Sequence, residues 1–189
     1  MSAWLIILIL VVLGPALLVI FAIGIYNALV RLRNQVENAW SQIDVQLKRR
    51  HDLIPNLVET AKGYMKHERG TFEAITKARS QAMGANNVND ASKAEGALGE
   101  ALSKFMLVVE NYPDLKANQN FLSIQEELTG TENKISFARQ SYNDQVLFFN
   151  NKIQMFPSSI IANTFNFSKR DFFEIEKAEE REVPKVSFS

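Results

Sequence analysis

The stretch WLIILILVVLGPALLVIFAIGI, from Trp4 to Ile25, runs for 22 residues without a charge, and no later part of the chain repeats it. A helix rising about 1.5 Å per residue spans about 33 Å over this length, close to the hydrocarbon thickness of a bilayer. A helix also satisfies its own backbone groups where no water is present. Trp4 and Tyr26 bracket the run, as amphipathic rings do at the two membrane interfaces. Gly14-Pro15 sits near its middle, and a proline kink is better tolerated in lipid than in a water-exposed bundle helix. A cleaved signal peptide needs a basic leader, a shorter apolar core and a small-residue cleavage site. Only Met1, Ser2 and Ala3 precede the run, and none is basic. The expectation is an uncleaved single-pass anchor over residues 4–25 after a flank at 1–3, with the bilayer as its partner. The expected location is an inner (cell) membrane, and because Arg31 and Arg33 follow the span the positive-inside rule favours a C-terminal domain in the cytoplasm.

About 160 residues follow the anchor, enough for one domain with a core. Lys plus Arg total 21 and Asp plus Glu total 21, so no global basic surface argues for nucleic acid as a partner. The chain contains no cysteine, which excludes an anchor built on a lipidated cysteine. A helical domain of this size needs no disulfide.

Past the anchor, Leu29, Leu32, Val36, Ala39 and Ile43 recur at spacings of three and four, the seam of an amphipathic helix. Trp40 and Leu47 widen it, and no Gly or Pro separates it from the anchor. Gln46 and Arg50 are polar lapses on the seam, placed to set register. The basic run Lys48-Arg49-Arg50 reads as bundle-surface or intersubunit salt bridges. Pro55 either kinks a continuing helix or opens a new one. Leu57, Ala61, Tyr64, Phe72, Ile75 and Ala82 carry one helical pattern onward, and residues 84–90 (GANNVND) form a loop by composition. A third helix follows, with Leu98, Leu102, Phe105 and Val109 on one stripe. Asp114 is the expected cap of a last long helix reaching Met155, interrupted at Gly130-Thr131 and closed by Pro157. Asparagines within these patterns, such as Asn118, Asn133, Asn143 and Asn150, read as a solvated face in preference to interhelical hydrogen bonds.

The expected fold is all-α: the transmembrane helix continues into an antiparallel long-helix bundle of three or four helices over residues 26–156. A C-terminal tail over 157–189 follows, Phe-rich, partly extended and packed, then mobile beyond Glu174. Ile160-Ile161-Ala162 reads as a short turn within it.

The segment from Val36 to Glu68, VENAWSQIDVQLKRRHDLIPNLVETAKGYMKHE, resembles the LemA family closely. Glu110 to Asn118 (ENYPDLKAN) is similar to a second signature of that family, and Thr131-Glu132-Asn133-Lys134-Ile135, Ala138-Arg139, Tyr142-Asn143 and Phe156-Pro157-Ser158 match in order. The resemblance implies a bacterial membrane anchor followed by a helical bundle, with no established catalysis. Some members carry a lipoprotein cysteine, which this chain lacks, so their topology is not carried over.

No chemistry stands out. His51 and His67 are the only histidines, and a zinc site wants three or four close ligands. No serine lies in a GxSxG elbow, and the glycines are scattered singly rather than gathered into a phosphate loop. No catalytic, cofactor-binding or metal residue is therefore named. The expected function is a non-enzymatic membrane-anchored scaffold or assembly module, forming a homo-oligomer or organising partner membrane proteins. Two alternatives stand beside it: a ligand- or peptide-binding receptor or adaptor, and a regulator of a membrane protease. The candidate interaction or packing residues are Leu29, Leu32, Val36, Trp40, Ile43, Tyr64, Phe165 and Phe167.

Overall fold

The computed structural model describes residues 3–174, without the side chains of residues 3 and 5–11. The elements are α1 (Ala3–Lys62), α2 (Arg69–Met83), α3 (Val88–Val109), α4 (Pro113–Lys116), α5 (Gln119–Gln154) and α6 (Ser158–Thr164). No strand occurs among the described residues, so the all-α expectation holds. The stretch after Glu174, expected to be mobile, lies outside the described residues. By length and composition α1 is able to cross a membrane.

α1 runs unbroken through both Gly14-Pro15 and Pro55. A proline inside a helix withholds the N–H that would bond the carbonyl four residues earlier. For Pro55 that carbonyl belongs to His51, and Arg79 on α2 donates its Nε–H to it at 2.7 Å. The guanidinium thus replaces the missing donor, and of the two readings left open for Pro55 the continuing helix is the one adopted.

The single pattern expected from Leu57 to Ala82 is instead broken between α1 and α2. Met65 is fully buried, and the turn is held by hydrogen bonds that a continuing helix would forgo. Tyr112 donates its phenol to Glu68 at 3.1 Å, and Asn118 donates to the Tyr64 hydroxyl at 3.0 Å. The Glu68 carboxylate, accepting that bond, raises the Tyr112 phenol above its usual pKa.

Asp114 does not cap the long helix; it lies in the first turn of α4. The side chain of Asn118 instead accepts from the Phe121 N–H at 3.1 Å, the bond an N-cap supplies. Gly130-Thr131 leaves α5 uninterrupted, and residues 160–162 belong to α6. The Phe156-Pro157 peptide is cis. Not every asparagine faces solvent: Asn150 is buried, donating to the Arg170 carbonyl and accepting from the Arg170 N–H, each at 2.9 Å.

Two compact units make up the described chain. One is the described part of Met1–Ser41 with Ser141–Arg170; the other is Gln42–Gln140 with the described part of Asp171–Ser189. In the first, α1 and the end of α5 lie antiparallel. Trp40 meets Tyr142 with ring centroids 5.6 Å apart, while the earlier Arg33 and the later Phe149 both reach Phe167. Leu29, Val36, Tyr142, Val146 and Phe149 form its buried interior. In the second, α2 and α3 form a tight hairpin, and its core gathers Ile54, Leu57, Ala61, Ile75, Leu98 and Leu115 around Phe72, Phe105 and Phe121.

If Arg79 stands in for the donor that Pro55 lacks, the two positions are coupled. Arg79→Ala is expected to cost about 1.5–3 kcal/mol in the native background, as loss of a charged hydrogen bond does. In a Pro55→Ala background, where the helix regains its own donor, the cost falls by at least about half. Thermal unfolding of the four proteins in detergent measures this; equal losses in both backgrounds would contradict it.

Candidate functional site

The seam of α1 is spent on the chain's own core. In the first unit Leu29 and Val36 are buried, Leu32 is half-buried, and Trp40, also half-buried, packs its edge against Tyr142. In the second unit Ile43 is fully buried. Phe167 is half-buried in the first unit, its ring 5.8 Å from Tyr26 and 6.4 Å from Phe149, with the Arg33 guanidinium 5.5 Å from its centroid. Phe165 is exposed but leans on Tyr26 at 4.8 Å. The structure therefore brings both phenylalanines together with the α1 seam. Tyr64 belongs to the second unit, where it is exposed and its hydroxyl accepts a hydrogen bond from the Asn118 side chain.

The most unusual chemistry lies inside the second unit. Arg50, His51 and Glu95 are all buried. His51 Nε2 lies 2.6 Å from Glu95 Oε1, and Arg50 reaches Glu132 at 2.9 Å. Arg50 also lies 3.5 Å from Glu95 Oε2, close enough for an ion pair but outside hydrogen-bond geometry. Helices α1, α3 and α5 each supply a member, and Arg79 of α2 joins through the His51 carbonyl. A buried carboxylate this close to an imidazole and a guanidinium fixes register, because any slip would strand a charge away from water.

Arg50 thus corrects the reading of Lys48-Arg49-Arg50 as surface bridges. Only Arg49, pairing with Glu127 at 3.5 Å with both side chains about half exposed, fits that description. The signal for Arg50 was its place on the apolar seam. Glu95 and Glu132 carried no comparable mark, since their partner lies far away in sequence.

On the same unit, Val58, Lys62, Phe72, Glu73, Thr76 and Lys77 line a shallow groove between α1 and α2, about 630 Å³ in volume. It has an apolar floor and charged rims. No group of three or more His, Asp or Glu suited to a metal ion occurs among the described residues.

The LemA family model matches residues 39–188. The chain belongs to the LemA family. Protein LemA of Metamycoplasma hominis is 28% identical over 163 residues, covering 85% of this chain and 74% of that protein. Magnetosome protein MamQ 2 of Paramagnetospirillum magneticum is 22% identical over 175 residues, covering 79% of this chain and 64% of its own length. Magnetosome protein MamQ of Magnetospirillum gryphiswaldense is 21% identical over 174 residues, covering 78% and 64%. The buried Arg50–His51–Glu95 group and the α1 seam from Ala39 onward lie within the part of this LemA-family chain that the family model covers.

Removing one buried partner should be far costlier than removing an exposed one. Glu95→Ala, which leaves Arg50 and His51 facing an empty site, is expected to lower stability by about 3–5 kcal/mol. Glu132→Ala, at a side chain 54% exposed, should cost less than about 1 kcal/mol. Chemical unfolding in detergent measures both; equal losses would mean the buried group does not hold the unit in register.

Proposed function

We propose that this LemA-family chain is a non-enzymatic, membrane-anchored assembly module, which self-associates or gathers partner membrane proteins through its helical part. The observation that carries the proposal is the change of surface along α1. The side chains of Val12, Leu17, Leu18 and Ile20 are 61–70% exposed, an apolar face that water would penalise at about 25 cal/mol per Å² and lipid would not. From Leu29 onward one face of the same helix is packed into protein. The anchor therefore holds the folded part directly, with no flexible linker between them.

Arg31 and Arg33 on the exit side of the span support a bundle on the cytoplasmic side. The name magnetosome protein assigns the MamQ relatives to the magnetosome. Large apolar side chains stand exposed on the second unit, with Phe137 at 75% and Leu107 at 71%, and exposed apolar surface of this kind marks protein–protein contact sites when it is contiguous. The groove beside Val58 and Phe72 supports the second reading, a receptor or adaptor for a peptide with an apolar anchor and flanking charges.

Light scattering of the full-length protein in mild detergent separates the two. A single, reproducible multiple of the 21.4 kDa chain mass, reduced by Phe137→Ser or Leu107→Ser without loss of helicity, is the expected result. A monomer under all conditions would remove self-assembly, and saturable peptide binding by that monomer would establish the receptor reading.

A further inference from the structure

Residues 155–168, MFPSSIIANTFNFS, contain no Asp, Glu, Lys or Arg, in a chain where 22% of residues are charged. A water-facing stretch of this length would ordinarily carry about three charges. Yet the stretch is not a core segment. Met155 is 60% exposed, Phe156 82%, Ile160 56% and Phe165 55%. Four large apolar side chains thus stand outward on one connected corner, from the end of α5 through α6.

Its position within the first unit explains the anomaly. From the Trp40–Tyr142 contact, descending α1 to Tyr26 and descending the antiparallel α5 chain to Phe156 cover equal numbers of residues, about 21 Å each at helical rise. The corner therefore lies at the level of Tyr26, the residue that closes the apolar run of α1. A second contact gives the same placement: Phe165, just past α6, has its ring 4.8 Å from Tyr26. Beyond it the chain turns back, with Phe167 against Arg33 and Arg170 paired to Glu37 at 3.1 Å. The corner is the part of this unit that comes down nearest to the membrane-crossing run.

We propose that the α5–α6 corner is a second membrane contact, in which Phe156, Ile160, Met155 and Phe165 enter the interfacial layer of the bilayer beside the anchor. This rests on the reading that residues 4–25 cross the bilayer. Lipid is the occupant because the patch is continuous with the apolar face of α1 and is flanked by cations. Arg31 on α1 and Lys169 after α6 are exposed, and Lys152 is half-buried one turn before the corner. Uncharged aromatic and aliphatic side chains below a ring of basic residues are what an anionic headgroup layer accommodates. Two points of attachment would also fix the rotation of the first unit about its anchor, which a single helix leaves free.

The absence of cysteine allows single nitroxide labels in the full-length protein. Phe156→Cys, Ile160→Cys, Val19→Cys and Phe137→Cys are labelled and placed in nanodiscs containing phosphatidylcholine and phosphatidylglycerol, one chain per disc. Collision with oxygen, which concentrates in lipid, is compared with collision with a water-soluble nickel chelate. Labels at 156 and 160 are expected to show a severalfold higher oxygen-to-nickel ratio than the label at 137, approaching that at 19. A lipid-like ratio at 19 with a water-like ratio at 156 and 160 would overturn the second contact while leaving the anchor intact. A water-like ratio at 19 would overturn the anchor, and this proposal with it. Labels at 156 and 160 shielded from both reagents would assign the corner to protein contact, and would also overturn it.

Discussion

A helix that leaves lipid must replace a shell of hydrocarbon with packed protein within a turn or two, or expose apolar surface to water. Along α1 the change from an exposed apolar face to a packed one falls between Ile23, 53% exposed, and Leu29, fully buried. What makes it possible is the return of the chain. The segment after α6, from Phe165 through Arg170, comes back to α1 at the place where this change occurs. Phe165 and Phe167 meet Tyr26, Phe167 lies beside Arg33, and Arg170 pairs with Glu37. Asn150 fastens that returning segment to α5 through two backbone bonds of 2.9 Å. The Phe-rich segment thus covers α1 where its exposed apolar face gives way to the buried seam, which accounts for aromatic residues lying so late in the sequence.

Farther along, α1 faces a different problem: it must continue through Pro55 with one backbone bond missing. The second unit solves this with side chains from other helices. Arg79 supplies the donor to His51, and the neighbouring imidazole and guanidinium share Glu95. One defect in the helical ladder and one buried charge group therefore occupy the same place. Such a group adds little net stability over an apolar core, because desolvation offsets attraction. Its value lies in excluding other registers.

The sequence makes the large features readable because they are local. The uncharged run from Trp4 to Ile25 and the three-and-four spacing of Leu29, Val36 and Ile43 are properties of one helix, and burial of those three residues follows the pattern. Arg50 was visible as a lapse on that seam, but its partner Glu95 was not, since a lone glutamate in an amphipathic helix looks like any solvated one. Pro55 was ambiguous for the same reason: its outcome depends on Arg79, a residue of another helix. Asp114 and Asn118 both have the chemistry of a cap, and tertiary packing of Leu115 and Phe121 selects the second. The outward-facing corner at Phe156 and Ile160 is uncharged in sequence, but only the antiparallel register of α1 and α5 reveals that it lies level with Tyr26.

The exposed apolar part of α1 and its packed part are one helix with no hinge between them. Hydrogen exchange of the full-length protein in nanodiscs, resolved along residues 18–45, tests this most directly. The account predicts slow exchange throughout, with no fast block at residues 24–29, where the exposed face gives way to the buried seam. Rapid exchange confined to 24–29 would show a flexible joint between anchor and bundle, and would contradict it.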